Sequence, residues 1–285
     1  MVYYTRNWIE TKWKLGILTH NFKELLTQLK KFYDQMKLVN PMELRLLEFA
    51  GKQVEPDIRK LYDMREVIYD QKWLHATDNK DLYYMYRDLS YSKRDHNIIK
   101  ENDLRYDITI IPPSNLGDEY VKTAGHYHPL VEGTEYTYPE VYEVLSGVAH
   151  YLLQKAENST ITDVVVVEAN EGDKVIVPPN YGHVTINPSN KELKMANWVS
   201  NQFESIYEPY RECGGAIYFN LTDGNLIKNE NYENPPEIRK LKPTNFSKLG
   251  LHKNKEMYKI VRDPDKLNYL NSPQDYDWLW EKFNI

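Results

Sequence analysis

A chain of 285 residues accommodates one large β domain with additions, or two modest domains, with a sizeable core. Its 41% hydrophobic and 27% charged content is that of a soluble globular protein, and a formal net charge of -6 argues against broad attraction to nucleic acid. The lone cysteine, Cys213, excludes an intramolecular disulfide and a cysteine-based zinc site; it reads as a buried or half-buried small residue. No apolar stretch reaches the length of a membrane span, and the N-terminus lacks a secretory apolar core, so a cytoplasmic protein without membrane contact is expected.

Residues 1–56 read as an N-terminal helical extension. Asn21 followed by Glu24 fits a capping box. Phe22, Leu25, Leu26, Leu29, Phe32, Tyr33 and Met36 then recur at helical spacing, and Pro41 ends the run. Met42 to Phe49 is predicted as a second short helix stopped near Gly51. The apolar stripe is expected to cover a barrel or pair with a second subunit.

Residues 57–221 carry the β signal. Short runs of strand-forming residues are expected at Leu82–Tyr86, Asp107–Ile111, Val121–His128, Glu140–Leu145 and His150–Gln154. Others follow at Val164–Glu168, Lys174–Val177, Val184–Ile186, Met195–Ser200 and Ala216–Asn220. Turns are signalled at Gly147 and at Glu171-Gly172-Asp173. Many short strands at this spacing indicate a mainly β barrel or sandwich. In residues 222–285, Pro235, Pro236, Pro243, Pro264 and Pro273 forbid long regular elements, and this tail is expected to wrap the barrel or a neighbouring subunit. Tyr276 to Phe283 reads as a short anchored helix.

The strongest chemical signal lies inside the β region. His126 and His128 are one residue apart, so on an extended strand they share a face. Glu140 reaches the same point from the next strand and His183 from a later one. Three imidazoles and a carboxylate leave open positions on an octahedral divalent ion, as a Lewis-acid site requires. Glu132 and Glu135, in the loop before Glu140, are alternative carboxylates with poorer preorganisation. Tyr142 shares the Glu140 face and serves either packing or hydrogen bonding. Lys122 alternates away from Thr123 and is expected in solvent. His150 reads as a packed or surface residue.

This constellation, with Gly147 and Gly172-Asp173, resembles the cupin superfamily, and more narrowly the cupin-type glucose-6-phosphate isomerases of archaea. The likeness rests on Gly125-His126-Tyr127-His128 followed by Glu140-Val141-Tyr142, on Val177 to Asn187, and on the upstream block Ile58 to Met64. The spacer around Val131 to Tyr138 is longer than in short archaeal members. The resemblance implies a cupin, jelly-roll-like β-barrel over residues 57–221. His126, His128, Glu140 and His183 would hold one divalent ion, Fe(II) favoured over Mn, Zn or Ni. Thr109, Thr123 and Gly125 would hold the substrate phosphate. Tyr83, Tyr142 and Tyr207 would line the sugar site, with Glu140 and Tyr142 in the chemistry, and a homodimer is implied.

Two positions depart from the family. Val199 stands where a tyrosine near the phosphate is expected, and Ser205 where a histidine thought to assist ring opening is expected. Phosphate specificity and the ring-opening acid are therefore not carried over, and mannose 6-phosphate becomes a conceivable substrate. The expected activity is metal-dependent interconversion of glucose 6-phosphate and fructose 6-phosphate. Another cupin metalloenzyme, such as a dioxygenase or epimerase, and a non-enzymatic sugar-binding cupin are the competing readings.

Overall fold

The computed structural model describes residues 45–157 and 160–283. The expected capping box and the stripe from Phe22 to Met36 lie outside them. Its first element corrects the helix expected up to Phe49. β1 (Leu47–Phe49) and β2 (Lys52–Val54) form a tight antiparallel hairpin. Ala50 and Gly51 turn it with φ of 52° and 72°, the pair of positive values that a two-residue turn needs. Leu47 and Phe49 are buried and Glu48 exposed, so period two prevails over helical spacing.

β3 (Asp57–Lys60) leads through a 3-10 turn and α1 (Gln71–His75) into β4 (Asp81–Tyr86). α2 (Lys93–Glu101), capped by the Ser92 side chain, precedes β5 (Leu104–Ile111). A small hairpin, β6 (Asn115–Leu116) and β7 (Glu119–Tyr120), follows. The chain then runs through β8 (Glu140–Ser146), β9 (Val148–Glu157), β10 (Thr160–Asn170), β11 (Lys174–Val177), β12 (Tyr181–Ile186) and β13 (Leu193–Ser200). α3 (Glu208–Glu212), β14 (Tyr218–Asn220), β15 (Leu226–Lys228), β16 (Ile238–Leu241) and α4 (Asp277–Trp280) complete it.

Two sheets dominate. One has the order β11-β8-β13-β5-β4-β3 and the other β12-β9-β10-β16. All pairings in them are antiparallel except β10 with β16. A shared core, including Val144 and Val175 from the larger sheet and Leu153 and Val165 from the smaller, makes them a mainly β cupin barrel. Val121 to His128 does not form the regular strand its composition suggests. It is extended and touches its neighbours through single bridges, Lys122 to Ile186, His126 to His183 and Tyr127 to Ile206.

The larger sheet is buried on both faces. Along β5, Arg105, Asp107, Thr109 and Ile111 alternate with Leu104, Tyr106, Ile108 and Ile110. The second set packs in another core with Trp198, Tyr258, Leu267, Tyr269 and Trp280, so the tail covers the outer face. The short helix expected near the end is α4, whose Trp280 Nε1 donates to Pro273 O at 2.7 Å. Glu143 ties the tail to β8. Its carboxylate accepts from Lys174 Nζ at 2.8 Å and from Met257 N at 2.7 Å, with all three groups buried. Lys122 overturns its solvent assignment. Its ammonium is buried, ion-paired with Glu119 and 4.7 Å from the Phe219 ring centre, because the face opposite Thr123 is covered by β7 and β14 and is not open to water.

Replacing Glu143 with alanine strands the Lys174 ammonium and the Met257 amide in a dry site. Urea unfolding is expected to show a loss of roughly 3–5 kcal/mol, with a smaller loss for Glu143→Gln. A loss within error of zero would disconnect the tail from barrel stability.

Candidate active site

The four expected ligands converge. Ligand atoms of His126, His128, Glu140 and His183 all lie within 4.8 Å of one another. The histidines come from β12 and the segment bridged to it, and Glu140 comes from the first position of β8, so the cluster joins the two sheets. Glu140 Oε2 lies 3.3 Å from His183 Nε2 and 3.5 Å from His128 Nε2. Glu132 and Glu135 are exposed in the preceding loop, which leaves Glu140 as the carboxylate of the cluster.

Close approach is built into the backbone. Gly125 has φ of 79°, and a Cβ there would stand 2.6 Å from Tyr210 Cδ1. A Cβ at Gly182 would stand 2.6 Å from the Tyr127 ring. The loop before β8 is clipped to the β11–β12 turn by reciprocal bonds: Thr137 N donates to Asn180 Oδ1 at 3.0 Å and Asn180 N to Thr137 Oγ1 at 2.6 Å. That clip positions Tyr138 O, which lies 2.8 Å from His128 Nδ1. An Nδ1–H donating there leaves the Nε2 lone pair directed at the cluster.

The electrostatics favour a cation in the middle. Burial, then the neighbouring imidazoles His183 and His128, lowers the His126 pKa well below its usual value. Burial also lowers His128 to about 4, despite the opposing effect of Glu140. Burial pushes Glu140 up, but His183, His128 and Tyr142 together bring it below the ordinary carboxylate value. His126 and His128 are thus neutral imidazoles beside an anion. Glu140 Oε2 is fully buried and has no hydrogen-bond partner among the described residues. A desolvated, unpaired carboxylate oxygen facing imidazole nitrogens fits a divalent ion as its missing partner.

A cavity of about 440 Å³ opens onto this cluster. Tyr83, Thr109, Thr123 and Tyr207 line it, as do Val199 and Ser205. Tyr142 packs against Tyr151, the two rings tilted by 38° with centres 5.2 Å apart, and its Oη lies 3.0 Å from His183 Nε2. Burial, then Glu140, holds the Tyr142 phenol protonated well above its usual range. Thr123 Oγ1 accepts from Thr185 N at 3.0 Å, and Tyr83 Oη accepts from Ala124 N at 3.3 Å. Gly125 is required for packing against Tyr210. His150 is half-buried, its Nδ1 2.9 Å from Asn220 Nδ2, and Cys213 is half-buried.

Sequence reading missed the charged residues of this cavity, Arg87, Arg105 and Asp107, and the amide of Asn197. It also passed over the charge of Arg59, whose guanidinium lies 5.5 Å from the centre of the Tyr207 ring. The available signal was alternation. Arg105 and Asp107 share the face of Thr109, and Arg87 shares that of Tyr83.

A double-sheet barrel with three histidines and a glutamate at its mouth defines a cupin of enzymatic type. A model of the glucose-6-phosphate isomerase (GPI) family matches residues 58–237. Glucose-6-phosphate isomerase from Thermococcus litoralis is 29% identical over 159 residues, 55% of this chain and 76% of that protein. The one from Pyrococcus furiosus is 30% identical over 146 residues, 51% of this chain and 68% of that protein. Among solved structures, oxalate decarboxylase from Bacillus subtilis aligns with 44% of this chain and 27% of its own, at 15% identity and a TM-score of 0.31. The chain belongs to the glucose-6-phosphate isomerase family, and it is an isomerase.

His128→Ala should abolish retention of a divalent ion. After loading with Mn(II) and dialysis, elemental analysis is expected to find about one equivalent in the parent chain and under roughly a tenth of that in the variant, with unchanged circular dichroism. Equal content in both would remove His128 from the ligand set.

Proposed function

We propose that the chain interconverts glucose 6-phosphate and fructose 6-phosphate with one divalent ion, Fe(II) favoured, held by His126, His128, Glu140 and His183. The observation that carries this reading is the unpaired, buried Glu140 Oε2 among three imidazoles at the wall of a polar cavity. A cation held there supplies Lewis-acid stabilisation of the charge that develops on the two oxygens flanking the migrating hydrogen.

The chain's own groups orient the sugar phosphate. Cross-strand register arranges the cavity wall in rows. Met85, Thr109 and Met195 form one row; Asp107, Asn197 and Tyr142 form the next; Arg105, Val199 and Glu140 form a third. Thr109 is two residues from the Tyr142 row, or roughly 7 Å along the strand. That separation is on the scale of an extended sugar chain. The phosphate is assigned to the Thr109 end, where Thr123, Tyr83 and Tyr207 also line the cavity, Gly125 lies between the lining residues Ala124 and His126, and Arg59 stands beside the Tyr207 ring. C1 and C2 then lie beside Glu140 and Tyr142. Glu140 would carry the proton between the two carbons, and a direct hydride shift between them is the other route open to this arrangement. Tyr142 Oη, held protonated, donates to a sugar oxygen.

Ser205 and Val199 leave the remaining wall without the imidazole and phenol expected from the family, which opens the site to mannose 6-phosphate. The reading includes a cytoplasmic homodimer, supported by the family likeness and by the apolar stripe from Phe22 to Met36.

Two measurements test the reading. In a coupled assay, conversion of fructose 6-phosphate to glucose 6-phosphate should stop on chelation and return with Fe(II) or Mn(II); turnover indifferent to chelator would contradict it. Sedimentation should give a species of twice 33.9 kDa, and a monomer at working concentration would remove the dimer.

A further inference from the structure

We propose that Arg105, braced by Asp107 and seconded by Arg87, is a specificity-determining anion subsite at the reacting end of the cavity. Its ligand class is a planar oxyanion at C1 and C2 of an open-chain sugar phosphate, the enediolate or a carboxylate that imitates it. The inference rests on the sugar-phosphate reading above and adds a second anion site to the phosphate end.

The geometry is specific. Asp107 points into the barrel from β5 with its side chain only 5% exposed, and each of its oxygens is engaged. Oδ1 accepts from Asp88 N at 2.9 Å, and Oδ2 accepts from Arg105 Nε at 2.8 Å. Bonding through Nε fixes the guanidinium plane and leaves both Nη groups of Arg105 for the cavity that it lines. Among the described residues, no carboxylate other than Asp107 lies within ion-pair distance of Arg105. Arg87 Nη1 stands 3.7 Å from the same Asp107 oxygen, while its Nε donates to the exposed Asp57 at 2.9 Å. Glu204 also lines the cavity and pairs with neither arginine.

Register places this cluster away from the phosphate end. Arg105 is four residues from Thr109 on β5, roughly 13 Å along the strand. It occupies the same row as Glu140, with Val199 of β13 between them. A tyrosine at position 199 would fill that gap; valine leaves it open. The guanidinium thus faces the space beside the ligand cluster across a small apolar side chain. A buried carboxylate that spends both oxygens on orientation, and an arginine whose planar end is left toward the cavity, are the arrangement of a preorganised oxyanion clamp.

The test compares two ligands that share a phosphate and differ at the head: arabinonate 5-phosphate, a carboxylate, and arabinitol 5-phosphate, a neutral alcohol. Calorimetric Kd values are taken on the full-length, metal-loaded protein and on Arg105→Gln, with equal metal content checked by elemental analysis. The preference for the carboxylate over the alcohol is expected to fall at least about tenfold in Arg105→Gln, with affinity for the alcohol changed less than about twofold. Arg105→Lys should recover much of the preference. The pair Arg105→Gln with Asp107→Asn, which avoids stranding the buried carboxylate, should show the same loss. An unchanged preference, or equal losses for acid and alcohol, would overturn the subsite while leaving the isomerase reading intact. Failure of the parent protein to bind either compound would overturn the sugar-phosphate reading and the subsite together.

Discussion

A carboxylate oxygen is buried where the ring nitrogens of His128 and His183 face it. The Tyr138 carbonyl accepts a hydrogen bond from the His128 Nδ1–H, so the Nε2 lone pair is turned toward Glu140 Oε2 at 3.5 Å. Burial keeps His128 and His126 neutral, so they offer lone pairs instead of protons. Lone pairs facing an anion in a dry site repel, and the repulsion is relieved by a cation. Because His183 belongs to the smaller sheet, His126 and His128 to the segment bridged to it, and Glu140 to the larger sheet, a bound ion would also brace the barrel mouth across its two layers.

The rest of the architecture keeps that contact from relaxing. Gly125 and Gly182 allow the histidine-bearing segments to pack against Tyr210 and Tyr127 at distances that a side chain would forbid. The Thr137–Asn180 clip holds the loop that carries Tyr138. On the far side, the proline-rich tail covers the outer face of the larger sheet and engages Glu143, the neighbour of Tyr142 in β8. A sheet buried on both faces has little freedom to move its inward row, which is what a site of fixed geometry needs.

Polarity is graded along the cavity by the same row arrangement. Thr109 lies in one row, Asp107 and Tyr142 in the next, and Arg105 and Glu140 share the third. Valine and serine at 199 and 205 line that cavity too, so its wall is less polar beside the ligand cluster than at Arg87 and Arg105.

The sequence alone was sufficient for the β class, the short strands from Lys174 to Val177 and from Glu140 onward, and the convergence of His126, His128, Glu140 and His183. Those signals are local: alternation and motif spacing act over a few residues. It was insufficient at Leu47–Phe49, where a positive-φ turn at Ala50 and Gly51 overrode helical composition, and at Lys122, which Glu119 and Phe219 draw inward. β16 also escaped notice, because its pairing with β10 joins segments far apart in the chain. The same holds for Arg105 and Glu140. Their place in one row depends on β13 lying between β5 and β8, and strand order is decided by which faces can be buried together, a property of the folded barrel.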